Sequence, residues 1–552
     1  MKKIIGSPLA WVILLTFLPL IPLFNTGLPA THDGQDHVAR IANFYASLRE
    51  GNLVPRWASN LNWGYGHPIL MFLYPLPSYI ASFFHFTGFS FVDSVKLVFG
   101  ISFLASAFTM CIWLNGILGK RAAVIGTLLY VFAPYRFVDL YVRGAIGEHA
   151  AFVFPPLILF ILFKLAKSGT KYKASNVKYG IGLAFTMACM NLSHNAISLI
   201  FIPIIALYVL YLYFFESNRS TSYILNTICY MLLGFGLSAF FWVPALFEGK
   251  YTLRDIVTAG EAVKRFVPWT QFFCSPWNYG GTVSLPKSLG FLQWLGIIIA
   301  FVTIKNIKDK KIQFLLVGFL VILFLSLFIM TSYSKPIWLT FTTLQKFQFP
   351  WRFLSLSVFC TAVIGAIVIS RLRFSFVIAY CLLLIFSCLG MWHPKTYLNK
   401  DSSFYNGIYP GTTDTGESSP IWSVRFMEHT PANPLDVAKG YATIAPIFRN
   451  TTTRIYIIVA KTQSRLVENT LFFPGWTVTV DGIKTGLQFQ DPNYRGLMVF
   501  WVDPGKHTVV VKFGETKLRR TADYISLASF TVVILFYFIN LFFKVFSRKP
   551  RR

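Results

Sequence analysis

Apolar residues in this chain come in long unbroken runs rather than in amphipathic stripes. Runs of about 18 or more such residues read as membrane-spanning helices. They predict spans at about 8–24, 91–118, 122–135, 148–166, 179–197, 198–215, 223–247, 290–304, 312–333, 351–370, 374–392 and 523–543, about twelve in all. The first is read as an uncleaved anchor, because it lacks a small-residue cleavage site and leads into a long polar loop. Residues 68–90 are also apolar, but Pro68, Pro75 and Pro77 interrupt them, which predicts an interfacial or re-entrant piece that does not cross. From about 440 the pattern changes to alternation. "TRIYIIVA", "NTLFFPGWTVTVDG" and "YRGLMVFWVDPGKHTVVVKF" read as strands, with Asp481-Gly482 as a hairpin turn and Pro504-Gly505 as another turn. Val509, Val511 and Phe513 fall on one face of the last strand.

This division predicts three parts. Residues 1–392 form a transmembrane domain with a large first outer loop at 25–90. Residues 393–520 form an extracytoplasmic region holding a β-sandwich at about 440–515. Residues 521–552 add the last transmembrane helix and a basic cytoplasmic tail. The stretch "NGIYPGTTDTGESSP", rich in turn residues, is expected to wind over the transmembrane domain.

Composition agrees. Only 13% of the 552 residues are charged and 55% are hydrophobic, whereas soluble domains carry about 25% charge. A soluble enzyme and a disordered chain are both excluded. The net charge of +28 could suggest nucleic acid. Its distribution argues otherwise, and no nucleic-acid partner is expected. With Lys2 and Lys3 cytoplasmic, every second loop is basic: Lys120/Arg121, Lys164 to Lys178, Arg219, Lys305 to Lys311, Arg371/Arg373, and the tail from Lys544 to Arg552. That is the positive-inside pattern. It places both termini in the cytoplasm and the β-region outside a cell membrane crossed many times. The seven cysteines form no disulfide framework, and phosphate-binding, dinucleotide, HExxH and CxxC motifs are absent.

Acids are scarce, 22 in all, so those beside the membrane are informative. In the first outer loop Asp33 and Asp36 are flanked by His32 and His37. Arg40 follows on one side of a helix starting near Asp36. Such carboxylates can act as general base, metal ligand or helix cap. For Asp33 alone a cap is the simpler reading, but the whole cluster reads as a site. The second outer loop places Arg136, Asp139, Arg143, Glu148 and His149 between two apolar helices. Charges so near hydrocarbon are usually functional; the alternative is an interfacial salt-bridge cluster with snorkelling side chains. Arg352, after Pro350 at the mouth of a span, reads equally as a phosphate clamp or an interface anchor. His194 is read as a structural hydrogen-bonder.

Several segments together resemble a known family. "GQDHVARIANFYASLREGNLVPRW", "GYGHPILMFLYPLPSYI", "YRFVDLYVRGAIGEHAAFVFPPL", "SHNAIS" and "QFPWRFLSL" are similar to bacterial and archaeal membrane proteins labelled 6-pyruvoyl-tetrahydropterin synthase-related, and more loosely to YfhO-like proteins. The layout of the loops resembles the glycosyltransferase C superfamily. The pterin label carries little weight, because a pterin synthase is a small soluble zinc enzyme whose histidine pattern is missing here. The superfamily resemblance implies a GT-C-like polytopic α-helical membrane protein, with sugar transfer from a polyprenyl-phosphate donor to a glycan, lipid or protein acceptor at the outer face. By position it implies Asp36 as catalytic base, with Asp33 as the alternative. His37, Arg40, Asp139, Arg143, Glu148 and His149 would contact substrate, and Arg136 and Arg352 the lipid phosphate. A divalent cation would fit beside such acids, but the second loop lacks the DxD pair. The rival expectation is a transporter, flippase or scaffold for lipid-linked glycans. A transporter would show polar groups at mid-membrane depth in interrupted helices.

Overall fold

A computed structural model describes residues 8–168 and 174–546, with side chains described from 12 to 168 and from 176 to 541. Lys2, Lys3, Lys171, Lys173, Arg548, Lys549, Arg551 and Arg552, all used in the orientation argument, lie outside the described residues.

Each predicted span coincides with helix. Among the described residues seven helices are long and apolar enough to cross a membrane alone, and nine if two bent pairs each count as one span. Val12–Phe24 and Phe291–Asn306 are shorter apolar helices, and Ala174–Ser193 fills the remaining predicted position. The bends have identifiable causes. Lys120–Val131 and Pro134–Arg143 meet at 50°, where Pro134 has no N–H to continue the helical ladder. Thr221–Leu237 and Ala239–Phe247 meet at 71°. There the Phe240 N–H bonds Ser526 Oγ at 2.9 Å, and the Asn191 amide donates to Ser238 Oγ at 3.2 Å. Neighbouring helices thus take over groups freed by the break.

The Leu354–Ile369 helix is buried along its whole length and sits at the centre of the bundle. Small residues let it approach Lys120–Val131: a Cβ on Gly126 would lie 2.8 Å from the Ala366 Cβ, and one on Gly365 would lie 2.1 Å from Leu129 Cδ1. The 68–90 segment contains the 11-residue helix Leu76–Phe86, about 16 Å long and too short for a hydrocarbon core of about 30 Å. It buries Ala81 and exposes Phe83 and Phe86.

Two short strands, β1 (Leu28–Pro29) and β2 (Tyr397–Leu398), pair antiparallel and tie the first loop to the chain that leaves the bundle. The C-terminal region has eight more strands: β3 (Leu435–Lys439), β4 (Ala442–Arg449), β5 (Thr453–Ala460), β6 (Ser464–Leu471), β7 (Trp476–Val480), β8 (Ile483–Lys484), β9 (Leu497–Val502) and β10 (Gly505–Phe513). They form antiparallel sheets ordered β4-β5-β10-β7-β8 and β3-β6-β9. Val509, Val511 and Phe513 all face the core. Asp481 (φ +50°) and Gly482 (φ +82°) make the two-residue turn of the β7–β8 hairpin, as a type I′ turn requires. Trp57, Tyr65, Met71 and Phe72 of the first loop enter the same core, so loop and β-domain pack as one body. Ion pairs made by two buried arginines fasten the junction. Arg519 meets Glu248 at 2.7 Å, and Arg56 meets Glu515 at 2.8 Å and Asp523 at 2.7 Å.

Candidate functional site

The two acidic loops are joined by their backbones. The His32 N–H bonds the Val142 carbonyl at 3.0 Å, and the Asp33 N–H bonds the Arg143 carbonyl at 2.9 Å. The contact depends on Gly144. Its φ is +66°, and a Cβ there would lie 2.2 Å from Thr31 Oγ1. Gly144→Ala is therefore expected to destabilise the protein by about 1–2 kcal/mol from backbone strain alone, with the clash in addition. Thermal unfolding in detergent measures this, and Thr31→Ala, which removes the nearest atom, should recover part of the loss.

The first loop folds as predicted into a helix, Gly34–Arg49, with Asp33 at its N-cap position and Asp36 in its first turn. Asp33 makes no side-chain capping bond, so the simple cap reading does not describe it. Both carboxylates are half-buried, and burial raises the proton affinity of each above its ordinary value. Their surroundings differ. Arg143, His32, Arg40 and Arg352 all act on Asp33 against that rise. Asp36 accepts a hydrogen bond from the Tyr409 hydroxyl at 2.6 Å, which opposes the rise, as does Arg40, whereas Asp33 and Asp414 add to it.

Further along the same helix, Arg40 donates to His37 Nδ1. Burial and the Arg40 charge push the proton affinity of His37 well down, so the ring is neutral. Its Nε2 faces the Gly144 backbone without a hydrogen bond of normal geometry. The Arg40 guanidinium lies 5.6 Å from the Tyr74 ring centre, and Tyr74 stacks on His194 at 4.9 Å. Tyr74 is seated against Gly147, where a Cβ would come within 2.1 Å of its ring. His194 caps the Asn195–Phe215 helix through Nδ1 at 3.3 Å, the structural role expected of it. Its ring also belongs to the wall of the cluster.

In the second loop Pro134–Phe137 runs into a π-helical turn, Val138–Arg143, followed by the short helix Ile146–Ala151. The extra residue in the turn brings one nitrogen of Arg143 onto three partners: Asp139 Oδ1 at 2.6 Å, Glu148 Oε2 at 2.7 Å and the Tyr135 hydroxyl at 3.1 Å. Tyr135 in turn donates to Glu148 Oε1 at 2.6 Å. Asp139 and Glu148 have 0% exposure. This is a salt-bridge cluster, but an enclosed one rather than the snorkelling interfacial one weighed from sequence. Its acids are occupied by Arg143, and only Asp139 Oδ2 is left without a partner.

Arg136 and His149 point elsewhere. Arg136 is fully buried 4.0 Å from the Phe152 ring centre and 5.1 Å from that of Phe103, and it donates to Ser106 Oγ at 2.8 Å. His149 stacks on Phe103 at 5.7 Å and faces the Phe99 backbone without a hydrogen bond of normal geometry. Arg352 does join the cluster: its charge acts on Asp33, Tyr74, Glu148 and His194. It donates to the Phe347 carbonyl at 2.6 Å and leaves Nε without a partner. Among the described residues neither Arg40 nor Arg352 forms an ion pair with a carboxylate. Arg40 is buried and Arg352 half-buried with its Nε enclosed, and an uncompensated guanidinium there favours an anion. Among the described residues no three His, Cys, Asp or Glu side chains are grouped to hold a metal ion. The donor set thus fits neither the zinc of a pterin synthase nor a cation held by three protein ligands.

Sequence reasoning missed four members, Tyr74, Tyr135, Tyr409 and Asp414. Tyr74 and Tyr135 look like ordinary membrane aromatics. Asp414 is half-buried, with its carboxylate accepting from the N–H groups of Gly416 at 2.8 Å and Ser418 at 3.1 Å. Its signal was available, since an acid in so acid-poor a chain is informative.

Comparisons with known proteins place the chain. A model of the "6-pyruvoyl-tetrahydropterin synthase related domain; membrane protein" family matches residues 70–398. An uncharacterised protein of Lactococcus lactis subsp. cremoris (strain MG1363) is 22% identical over 261 residues, which cover 44% of this chain and 40% of that relative. Among solved structures, the mycobacterial arabinofuranosyltransferase AftD overlaps 70% of this chain and 27% of its own, at 12% identity and a TM-score of 0.44. The Archaeoglobus fulgidus oligosaccharyltransferase overlaps 75% of this chain and 60% of its own, at 14% identity and a TM-score of 0.43. ArnT from Cupriavidus metallidurans, bound to undecaprenyl phosphate, overlaps 65% of this chain and 78% of its own, at 10% identity and a TM-score of 0.31. The family model covers more than half of the sequence, and the chain belongs to the 6-pyruvoyl-tetrahydropterin synthase related family of membrane proteins.

Proposed function

We propose that the protein is an integral membrane glycosyltransferase that moves a sugar from a polyprenyl-phosphate donor to an acceptor hydroxyl at the extracytoplasmic face. One observation carries the reading: two half-buried carboxylates stand beside the buried Arg40 and half-buried Arg352 guanidiniums, neither with a carboxylate partner among the described residues, in loops on the β-domain side of the bundle. This is what such a transfer requires. The acceptor oxygen attacks the anomeric carbon, forming the new glycosidic bond. The bond from that carbon to the donor phosphate oxygen breaks, and the electron pair leaves with the lipid phosphate. The acceptor proton passes to a carboxylate, and the growing phosphate charge is met by guanidinium donors.

Asp36 is the better base of the two acids. One of its oxygens is fixed by the Tyr409 hydroxyl and its proton affinity is raised, whereas Asp33 lies among the guanidiniums of Arg143, Arg40 and Arg352. A carboxylate of raised affinity takes a proton more readily near neutral pH, and guanidiniums around Asp33 suit it to another role. Arg40 and Arg352 receive the phosphate, with neutral His37 orienting Arg40. Asp139 and Glu148 hold Arg143, and Arg143 holds the loop against which Asp33 is placed. Arg136 and His149 stay within the bundle. A direct attack inverts the anomeric configuration.

Charge placement favours this reading over a transporter. Among the described residues most buried charged side chains, from Arg40 and Lys96 to Glu248 and Arg519, lie in loops, at helix ends or in the β-domain, while Arg136 reaches inward to Ser106 of the Phe91–Leu118 helix. They trace no path toward the opposite face. The test is transfer of radiolabelled sugar from polyprenyl-phosphate hexoses and pentoses by the purified chain in liposomes. Inverted glycoside product supports the reading. Folded protein that moves sugar from none of these donors contradicts it.

A further inference from the structure

A strap follows the bundle at 402–420 and crosses the first loop. Tyr409 precedes Pro410, which restricts it to extended backbone. Its N–H bonds the Asn60 carbonyl at 2.8 Å, its carbonyl accepts from the Trp63 N–H at 3.0 Å, and the Asn62 N–H bonds the Gly411 carbonyl at 2.8 Å. To direct these N–H groups at the strap, Asn62 (φ +55°) and Trp63 (φ +61°) both adopt left-handed backbone, a conformation that costs side-chain-bearing residues energy and concentrates at functional sites. Asn62 Oδ1 also accepts from the Met427 N–H at 2.9 Å.

The result is a tyrosine fixed at three points. Its backbone is locked, its ring meets Phe404 edge-on at 5.6 Å, and its hydroxyl donates to Asp36 Oδ1 at 2.6 Å. Gly411 leaves room for this. A Cβ there would lie 2.8 Å from the Tyr409 ring and 3.6 Å from Asp36 Oδ1.

We infer that Tyr409 is a positioning residue for Asp36, held by the strap so that it occupies one carboxylate oxygen and leaves the other to take the acceptor proton. The inference rests on the reading of Asp36 as base. The charged and titratable groups facing Asp36 are Asp33 and Arg40 beside it on the first loop, and Tyr409 and Asp414 on the strap. Burial is the largest influence and raises its proton affinity, as do Asp33 and Asp414. The Tyr409 hydrogen bond and Arg40 lower it. Removing the hydroxyl must therefore move the protonation of Asp36 to higher pH.

Labelling with dicyclohexylcarbodiimide, which attacks protonated buried carboxyls and needs no substrate, reads this directly. Peptide mass spectrometry of the purified full chain gives the pH midpoint of labelling at Asp36. Tyr409→Phe, which keeps the ring, should move that midpoint upward, and the acid limb of the transfer rate should move with it. Gly411→Ala, which displaces the ring without deleting any group of the site, should move both in the same direction. Unshifted midpoints in both variants, with Asp36→Asn inactive, overturn the role of Tyr409 alone. Full transfer by Asp36→Asn overturns the base, and the inference with it.

Discussion

Asp36→Asn should lower sugar transfer by about 10²–10⁴-fold, the range for loss of a general base, while leaving the fold intact. Asparagine keeps an oxygen for the Tyr409 hydroxyl, so the strap contact survives. It also removes a charge that burial already penalises, so thermal stability should hold or rise slightly. Asp33→Asn should cost less, because that carboxylate sits among cations and is not asked to take the proton. A larger loss at Asp33 than at Asp36 would exchange their roles. The pH profile carries the same sign. Asp36 acts only when ionised and its proton affinity is raised, so activity should fall on acidification at a pH above the ordinary aspartate range.

The second large effect is on stability. Arg143→Ala would strand Asp139 and Glu148, both with 0% exposure and with no other ion-pair partner among the described residues. Breaking a buried pair in this way costs about 3–5 kcal/mol. Low yield of folded protein and a depressed unfolding temperature in detergent are expected. Arg143→Lys should recover part of the loss, because all three contacts are made by one guanidinium nitrogen, which an ammonium can replace only as far as its shorter, unbranched stem reaches. Adding Asp139→Asn and Glu148→Gln to Arg143→Ala should restore much of the stability without restoring transfer. An Arg143→Ala protein as stable as the parent would show that the triad is not holding the second loop.

The spans were legible because twelve apolar runs need no partner to be recognised. The alternation of β10 was legible because Val509, Val511 and Phe513 declare one face. The bends were not. Pro134 marks one in the sequence, but the break at Ser238 depends on Asn191 and Ser526 from other helices. In the site, the gathering of Asp33, Asp36, His37 and Arg40 followed from helical spacing. The occupation of Asp139 and Glu148 by Arg143 did not, because it needs the π-helical turn that brings Arg143 onto both. Arg352 stood equally between clamp and anchor, and its place beside the cluster could be seen only in three dimensions. Tyr409 lies 373 residues from Asp36, a separation no local pattern bridges.

The central claim is that a lipid phosphate is received beside Asp36, between Arg40 and Arg352. A structure of the protein in nanodiscs with undecaprenyl phosphate bound tests it most directly. The account predicts the phosphate oxygens within hydrogen-bond distance of Arg40 or Arg352, with the free oxygen of Asp36 facing the position of the anomeric carbon. A phosphate seated elsewhere on the bundle, with both guanidiniums still without an anion, would contradict it.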